Sequence, residues 1–318
     1  MIPVHRFRKS YRELGLVGVL GLLMLVMGFF SPNYSFWDAE NLLGLPRHLA
    51  EKGIIACGMT LIIMTGGIDL SVGSLLGLAG IALGYTWLSW GLLPGVGMAL
   101  LAGSVGGLIN GLLITRWALP PLVVTLATMA LYRGVAMIIS RAQPVSNFPE
   151  SFGWWGQGHL GPLPVQFFVW VLTVVLFALI VERTTVGRYS TAIGDNERAA
   201  RFAALPVTRI KLWLYSASGL LCAVGAILYT SRVSTAKADA GLGWELEIIT
   251  AVILGGTQIT GGRGTILGTF LGLVILGVVR NGLTLMGMKE EWQFMMAGII
   301  LVGTAIANER MVERAAIR

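Results

Sequence analysis

The stretch "MTGGIDLSVGSLLGLAG", Met64 to Gly80, places one acidic residue, Asp69, inside an otherwise apolar and glycine-rich run. An ionisable group at membrane depth costs roughly 3 kcal/mol on insertion scales, so it normally pairs, faces a polar interior or satisfies broken backbone. The glycines predict an interrupted helix, in which the Asp69 carboxylate and the Ser71 hydroxyl accept hydrogen bonds from N–H groups at the start of the next helix. A place on a transport pathway is the alternative interpretation of Asp69.

The rest of the chain has the composition of a membrane protein. Of its 318 residues, 55% are hydrophobic and only 12% are charged, whereas roughly 25% charged residues are typical of a soluble domain. The 43 glycines fit helices whose backbones approach each other closely in a bilayer. A net charge of +7 in such a chain indicates positive cytoplasmic loops, so membrane lipid is an expected partner and nucleic acid is not.

Long windows without charged residues predict an all-α polytopic membrane protein, a single transmembrane domain over residues 1–318 with about ten transmembrane helices. The predicted spans are Leu14–Phe30, Gly53–Gly67, two within Leu70–Thr115 divided at the Gly91–Gly95 turn, Pro121–Ile139, Val165–Val181, Leu212–Ser231, Ile248–Gly262, Gly264–Val279 and Trp292–Asn308. Those near Gly67 and Arg263 are expected to be short and broken. A loop over 140–164 is expected to place Trp154 and Trp155 at the membrane interface.

The distribution of positive charge predicts the orientation. With the N-terminus inside, the inward segments 1–13, 182–211 and 308–318, together with Arg116 and Arg263, carry 15 of the 23 lysine and arginine residues. Such residues concentrate in cytoplasmic loops. Both termini, 1–13 and 308–318, are therefore predicted to be cytoplasmic.

The chain contains two similar stretches, called the echo stretches below. "GGIDLSVGSLLG" (Gly66–Gly77) resembles "GGTQITGGRGTILG" (Gly255–Gly268), and each is followed by an Asn-Gly pair, at Asn110 and at Asn281. An internal two-fold repeat, parallel or inverted, is the favoured interpretation, and a chance match in a glycine-rich chain is the alternative. Repeated, glycine-interrupted helices lie near the pathway in transporters.

The polar residues of the predicted spans are candidates for a substrate pathway, although hydrogen bonding between helices is the more common role of such residues. The candidates are Asp69, Ser71, Asn110, Thr125, Thr128, Gln258 and Asn281, with Thr60, Thr65 and Thr260 as further members.

The longest polar segment, 184–211, contains a helix-like piece from Asn196 to Ala204, which is either a solvated loop or a docking element for a soluble partner. No Gly-Lys dipeptide occurs, so the phosphate-binding loop of an ATPase is absent. No catalytic residues, metal site or cofactor are predicted. The chain is therefore not expected to be a self-contained enzyme.

Four stretches carry a resemblance to a known family: "GGIDLSVGS", "LPPLVVTLATMALYRGVA", "GRYSTAIGDNERAARFAALPV" and "AVILGGTQITGGRGTILGTFLG", in this order. The chain resembles the permease subunits of ribose-type ABC importers, the monosaccharide branch of a group that also includes branched-chain amino-acid permeases. The resemblance implies a multi-pass protein of the bacterial inner membrane with three kinds of partner. They are an ABC ATPase subunit, a periplasmic sugar-binding protein, and a second permease copy that forms a homodimer or a heterodimer.

The resemblance also implies a coupling helix within 184–211 that seats in the ATPase. It assigns this role to the residues Asp195, Asn196, Glu197, Ala199 and Ala200. Where Ala204 stands, the family often has glycine.

The implied function is ATP-driven import of a monosaccharide, such as ribose, rhamnose, galactose or a related sugar signal. A branched-chain amino-acid permease remains an alternative. An ion-coupled secondary transporter is a further one, although it would need a relay of acids or histidines where Asp69 is nearly alone.

Overall fold

The computed structural model describes residues 4–289, 291–293, 295–296, 298–300, 302–303 and 306. The α-helices with defined ends are α1 (Val4–Phe30), α2 (Ala39–Met64), α3 (Val72–Trp90), α4 (Leu92–Arg116), α5 (Pro121–Ser140), α6 (Glu150–Gln157), α7 (Val165–Arg183), α8 (Thr185–Asp195), α9 (Glu197–Phe202), α10 (Val207–Val233), α11 (Trp244–Leu254) and α12 (Ile266–Leu285). A 3-10 turn spans Pro32–Trp37, and two-residue strands β1 (His159–Leu160) and β2 (Leu163–Pro164) pair antiparallel. Every described residue between 291 and 306 is helical.

The prediction of an all-α polytopic membrane protein is confirmed. Within the described residues, seven helices are long and apolar enough to cross a membrane: Arg12–Phe30, α3, α4, α5, α7, α10 and α12. α2 is as long, but it carries Glu51 and Lys52 in its middle. α11 has only 11 residues, which at a rise of about 1.5 Å per residue covers roughly half of a 30 Å hydrocarbon core. Parts of two predicted segments, the end of the tenth span and the tail 308–318, lie outside the described residues.

Several details of the predicted spans and loops are wrong. The second span is not short, because α2 begins at Ala39 and not at Gly53. The eighth span does not continue to Gly262, because α11 ends at Leu254 and Gly256 adopts a φ of +84°, a left-handed conformation that suits glycine. The loop 140–164 contains α6, which carries the half-exposed Trp154 and Trp155. The segment 184–211 contains α8 ahead of the predicted short helix.

α2 runs through the centre of the bundle. Its residues 49–64 are all buried, and α7, α10, α11 and α12 pack around it. Gly53 lets Trp170 of α7 lie directly against the α2 backbone, since a Cβ there would stand 2.0 Å from the indole nitrogen. The central position of α2 brings its last residue, Met64, between elements from both halves of the chain.

The glycines of α4 and α10 bring the two helices into backbone contact. A Cβ on Gly103 would lie 2.3 Å from the carbonyl oxygen of Gly219, and one on Gly107 would lie 2.1 Å from that of Tyr215. Small residues allow this approach, which favours association inside a bilayer. The glycine content therefore serves close helix packing here, as the composition predicted.

Each of the two echo stretches contains a break between two helices. Residues 65–71 separate α2 from α3, and residues 255–265 separate α11 from α12; these are called the first and second break below. The Asn-Gly pairs are not equivalent, because Asn110 lies on the second helix after its break and Asn281 on the first. The repeat stays a prediction that rests on the two breaks alone.

Candidate functional site

Asp69 forms hydrogen bonds within the first break. Its Oδ1 atom accepts a hydrogen bond from the Ser71 N–H at 2.9 Å and another from the Ser71 hydroxyl at 2.6 Å. The side chain is only 1% exposed, so both bonds form away from water. An aspartate that accepts from the backbone two residues ahead stabilises a turn, and this is the backbone contact predicted for the carboxylate.

The predicted capping role of Ser71 is wrong. Ser71 occupies the N-cap position of α3, but its side chain makes no capping bond to that helix. Its hydroxyl donates to Asp69 and accepts from Asn110 Nδ2 at 2.8 Å. The serine therefore links the break to α4 instead of capping α3.

Helices α4 and α5 complete this buried network. The Tyr132 hydroxyl of α5 donates to the Gly106 carbonyl at 2.8 Å and contacts Asn110 Oδ1 at 3.2 Å. Thr125 Oγ1 donates to the Ile68 carbonyl in the break at 3.1 Å. Tyr132 is not among the residues predicted from the sequence, although a lone tyrosine in an apolar span needs a partner for its hydroxyl.

Not all of the predicted pathway residues meet here. Thr128 is buried, but its hydroxyl donates to Val124 within its own helix at 3.0 Å. Asn281 exchanges two hydrogen bonds, of 2.8 and 3.1 Å, with Asn41 at the opposite end of α2 from Met64. Gln258 lies in the second break. Asp69, Ser71, Asn110 and Thr125 thus form one network, and Asn281 lies far from it.

Several hydrogen bonds hold the second break in place. The Gln258 N–H donates to the Arg263 carbonyl at 2.9 Å, which closes the loop on itself. Arg12 of α1 donates from Nη1 to the Gly256 carbonyl at 2.7 Å. The Gly262 N–H donates to the Met64 carbonyl at 2.9 Å and so joins the second break to the end of α2.

The predicted coupling helix corresponds to α9, which is shorter than the expected 196–204. Asn196 is its N-cap, and its side chain accepts from the Ala199 N–H at 2.9 Å. Glu197 pairs with Lys211 of α10 at 2.6 Å and with Arg201 at 2.7 Å. Burial opposes ionisation of Glu197, but the hydrogen bonds and charges of Lys211 and then Arg201 outweigh it, so the pKa of this carboxyl is lowered.

α9 has one buried and one exposed face. Ala200 is 4% exposed and packs against Ile193 and Val207. Phe202, which is not among the predicted coupling residues, is 92% exposed. Residues two positions apart on a helix do not share a face. The spacing of Ala200 and Phe202 was therefore the sequence signal that the two side chains point to different sides of α9. Among the predicted coupling residues, Asp195, Asn196 and Ala199 are exposed and Ala200 is not.

Ala204 adopts a conformation that explains why its position suits glycine. Its φ is +57°, and the turn closes through bonds from the Ala204 N–H to the Arg201 carbonyl and from the Leu205 N–H to the Ala200 carbonyl, both 3.0 Å. A side chain in this left-handed region costs roughly 1–2 kcal/mol.

The variant Ala204→Gly should therefore leave the end of α9 as stable as before or stabilise it by up to about 1 kcal/mol, after the greater entropy of the unfolded glycine chain is subtracted. Hydrogen exchange of residues 196–206 measures this stability. The matched control is Ala203→Gly, because Ala203 has an ordinary φ of −76° and glycine there should speed exchange. Faster exchange in Ala204→Gly than in Ala203→Gly would contradict the explanation.

A cluster of charged side chains lies near the other end of the bundle. Glu51 of α2 pairs with Arg232 of α10 at 2.7 Å, and Lys52 pairs with Glu247 of α11 at 2.5 Å. Arg280 of α12 also contacts Glu247, at 3.1 Å. The cluster joins four helices. Its paired residues stand far apart in the chain, so no local sequence pattern reveals the cluster.

Comparisons with known proteins agree with this architecture. Residues 48–305 match the family described as branched-chain amino acid transport system / permease component. The ribose import permease protein of Bacillus subtilis (strain 168) is 40% identical over 299 residues, which cover 92% of this chain and 91% of that protein. The ribose import permease protein of Escherichia coli (strain K12) is 38% identical over 314 residues, 96% of each chain. The L-arabinose transport system permease protein of the same strain is 35% identical over 301 residues, 94% of this chain and 91% of that one. No solved structure matches the chain.

The matched range includes both breaks, α8 and α9, and the relatives extend over nearly their whole lengths. The resemblance to ribose-type importer permeases is confirmed, and the chain is a transport subunit. It belongs to the family of branched-chain amino acid transport system permease components.

Proposed function

We propose that the chain is the transmembrane permease subunit of an ATP-driven ABC importer for a monosaccharide. The observation that carries the proposal is its full-length similarity to permeases named for ribose and for L-arabinose, both pentoses. A branched-chain amino acid is the alternative substrate, in line with the description of the family. The named relatives favour the sugar.

The proposed importer needs partner proteins in addition to this chain. A partner ABC ATPase hydrolyses ATP, a periplasmic binding protein delivers the sugar, and a second permease, identical or related, forms the other half of the membrane unit. The protein lies in the bacterial inner membrane, with both termini and α9 on the cytoplasmic side. Phe202 is exposed on α9, and no described residue of this chain covers it. This exposure supports a docking role for α9.

In this proposal α9 transmits the ATPase cycle to the membrane. ATP binding closes the two ATPase subunits and draws the two α9 helices together. The helices flanking the breaks then rearrange and let the sugar pass inward. A neutral sugar requires no fixed charge on its path, and high affinity can reside in the binding protein.

Asp69 acts in this proposal as a turn-forming residue of the first break. Its side chain, like those of Ser71, Asn110 and Thr125, is buried within this single chain, which favours a structural role over contact with sugar. The variant Asp69→Asn keeps an acceptor for the Ser71 N–H and should retain most uptake. The variant Asp69→Leu should destabilise the protein by about 1–2 kcal/mol, as loss of a cap does.

Sugar uptake by vesicles and thermal stability of the purified protein measure these two effects. If Asp69→Asn abolishes uptake while its thermal stability matches the unaltered protein, the charge itself is required, and the pathway interpretation of Asp69 replaces the turn-forming one.

Co-purification tests the proposed assembly. The chain carries a C-terminal tag, native membranes are solubilised gently, and mass spectrometry identifies the proteins that accompany it. Recovery of an ABC ATPase is expected, and the presence or absence of a second type of permease separates heterodimer from homodimer. Recovery of this chain alone, still active in transport without ATP, would contradict the proposal and favour the secondary transporter.

A further inference from the structure

We propose that Gly194 is the joint through which movement of α9 reaches both helix breaks. This inference rests on the proposed function, because it assumes that a partner ATPase moves α9. The contact is called the glycine junction here and consists of Gly66, Gly194, Gly261 and Gly262.

Three backbones touch at the glycine junction. A Cβ on Gly194, in the last turn of α8, would lie 2.0 Å from the Met64 carbonyl oxygen and 2.2 Å from the Gly262 nitrogen. A Cβ on Gly261 would lie 2.8 Å from the Gly194 Cα and 2.9 Å from the Gly66 nitrogen. Backbone atoms cannot swing aside as the end of a flexible side chain can. A side chain larger than hydrogen does not fit at Gly194, and the backbone of α8 contacts both breaks directly.

The atoms that Gly194 touches are themselves bonded to each other. The Gly262 N–H donates to the Met64 carbonyl at 2.9 Å, which is the bond that ties the second break to the end of α2. Gly194 therefore contacts the donor and the acceptor of the same hydrogen bond. A displacement of α8 at this point must move α2, the second break or both.

The distance from the junction to the docking helix is short. Only Asp195 and the N-cap Asn196 stand between Gly194 and the first residue of α9. Asp195 also packs on the second break, since a Cβ on Gly262 would lie 2.1 Å from its Oδ1 atom. Because no long linker intervenes, α9 cannot move far without moving Gly194.

The second break is also restrained on its other side. Arg12 donates to the Gly256 carbonyl at 2.7 Å, and a Cβ on Gly256 would meet the guanidinium at 2.4 Å. With one end held by α1, a push from α8 is expected to change the shape of the break, which adjoins α12, instead of carrying the whole loop along. A displacement of α8 also reaches the first break, through the contacts at Met64 and Gly66.

The test compares two alanine variants whose added methyl groups both meet a backbone carbonyl oxygen. Gly194→Ala places a methyl group in the junction, whereas Gly103→Ala places one in the α4–α10 contact, 2.3 Å from the Gly219 carbonyl and away from α9. Each variant is reconstituted with the co-purified ATPase and binding protein. The number of sugar molecules imported per ATP hydrolysed is then measured.

Gly194→Ala should retain ATP hydrolysis and lose roughly tenfold or more of the sugar imported per ATP, within the range typical of coupling between sites. Gly103→Ala should reduce the amount of folded protein without changing that ratio. An unchanged ratio in Gly194→Ala, or an equal loss in Gly103→Ala, would overturn the inference.

Hydrogen exchange on the unaltered assembly decides the question if Gly194→Ala does not accumulate. Nucleotide binding should change exchange in both 65–71 and 255–265, and a change in neither would overturn the inference. The two hypotheses fail in different ways. If ATP drives no import by the unaltered assembly, the proposed function fails and the junction with it; if import is normal but the Gly194→Ala ratio is unaltered, only the junction fails.

Discussion

With Phe202 replaced by aspartate, ATP-driven uptake should fall to background while the permease stays folded and in the membrane. Phe202 is 92% exposed on α9, so its replacement removes no packing inside the chain. Truncation of an aromatic residue at the centre of an interface costs about 2–4 kcal/mol, or roughly 30- to 1,000-fold in affinity, and a buried carboxylate adds a desolvation penalty. Co-purification of the ATPase and ATP-dependent uptake measure the loss.

Two further variants make the test specific for the exposed face of α9. Phe202→Leu keeps an apolar anchor and should retain ATPase binding in part. Ala200→Asp should also fail, but for a different reason: Ala200 packs against Ile193 and Val207, so the charge should unfold α9 and speed its hydrogen exchange. Normal ATPase binding by Phe202→Asp would show that the partner docks elsewhere.

Removal of Glu51 should destabilise the protein more than loss of any exposed ion pair. Glu51 is fully buried, and its Oε1 atom pairs with Arg232 at 2.7 Å. Removal of one member of a buried ion pair leaves the other charge without compensation and costs about 3–5 kcal/mol. The variant Glu51→Leu should therefore lower the thermal midpoint of the detergent-solubilised protein by several degrees.

The matched control is the double variant Glu51→Leu/Arg232→Met. Replacing a buried ion pair by apolar residues of similar volume is often neutral or stabilising, so the second change should restore most of the stability lost in the first. Arg201→Met serves as an exposed comparison, because the Arg201–Glu197 pair is largely open to solvent and should contribute at most about 1 kcal/mol. A double variant no more stable than Glu51→Leu would contradict a role for the charge pair.

The sequence predicted local features well. The apolar windows located most of the long helices, although α2 begins at Ala39 and not at Gly53. The turn at Gly91 separates α3 from α4 as expected. The glycines around Asp69 predicted an interrupted helix and the carboxylate that accepts from its backbone. All of these depend on residues a few positions apart, where periodicity, turn preference and hydrogen-bonding capacity act directly.

The features that the sequence did not reveal depend on distant partners or on which side of a helix faces inward. The predicted second span begins at Gly53, just after Glu51 and Lys52, and only the fold pairs these two residues with Arg232 and Glu247. Ala200 and Phe202 lie two residues apart, and packing of α9 on α10 decides which of them is free to meet a partner. Asp69 was also expected to be nearly alone, whereas α2 carries the buried Glu51 and α11 carries the partly buried Glu247.

The convergence of the two breaks on α8 was likewise not visible from the echo itself. The repeat showed that two glycine-rich interruptions exist, but not that the Gly262 N–H bonds to Met64. Contact between segments nearly two hundred residues apart is a property of the bundle as a whole. The glycines of the two stretches predict interrupted helices, and at the junction they also let three backbones touch.

Uptake of labelled pentose into proteoliposomes measures whether this permease imports a monosaccharide with the energy of ATP. The vesicles contain this permease with its co-purified ATPase, and the binding protein and sugar are added on the opposite side from ATP. Ribose or a related monosaccharide should accumulate. The accumulation should require both ATP and the binding protein, and Phe202→Asp should abolish it. Uptake driven by an ion gradient without ATP, or ATP-driven uptake of leucine and not of any sugar, would contradict the proposed function.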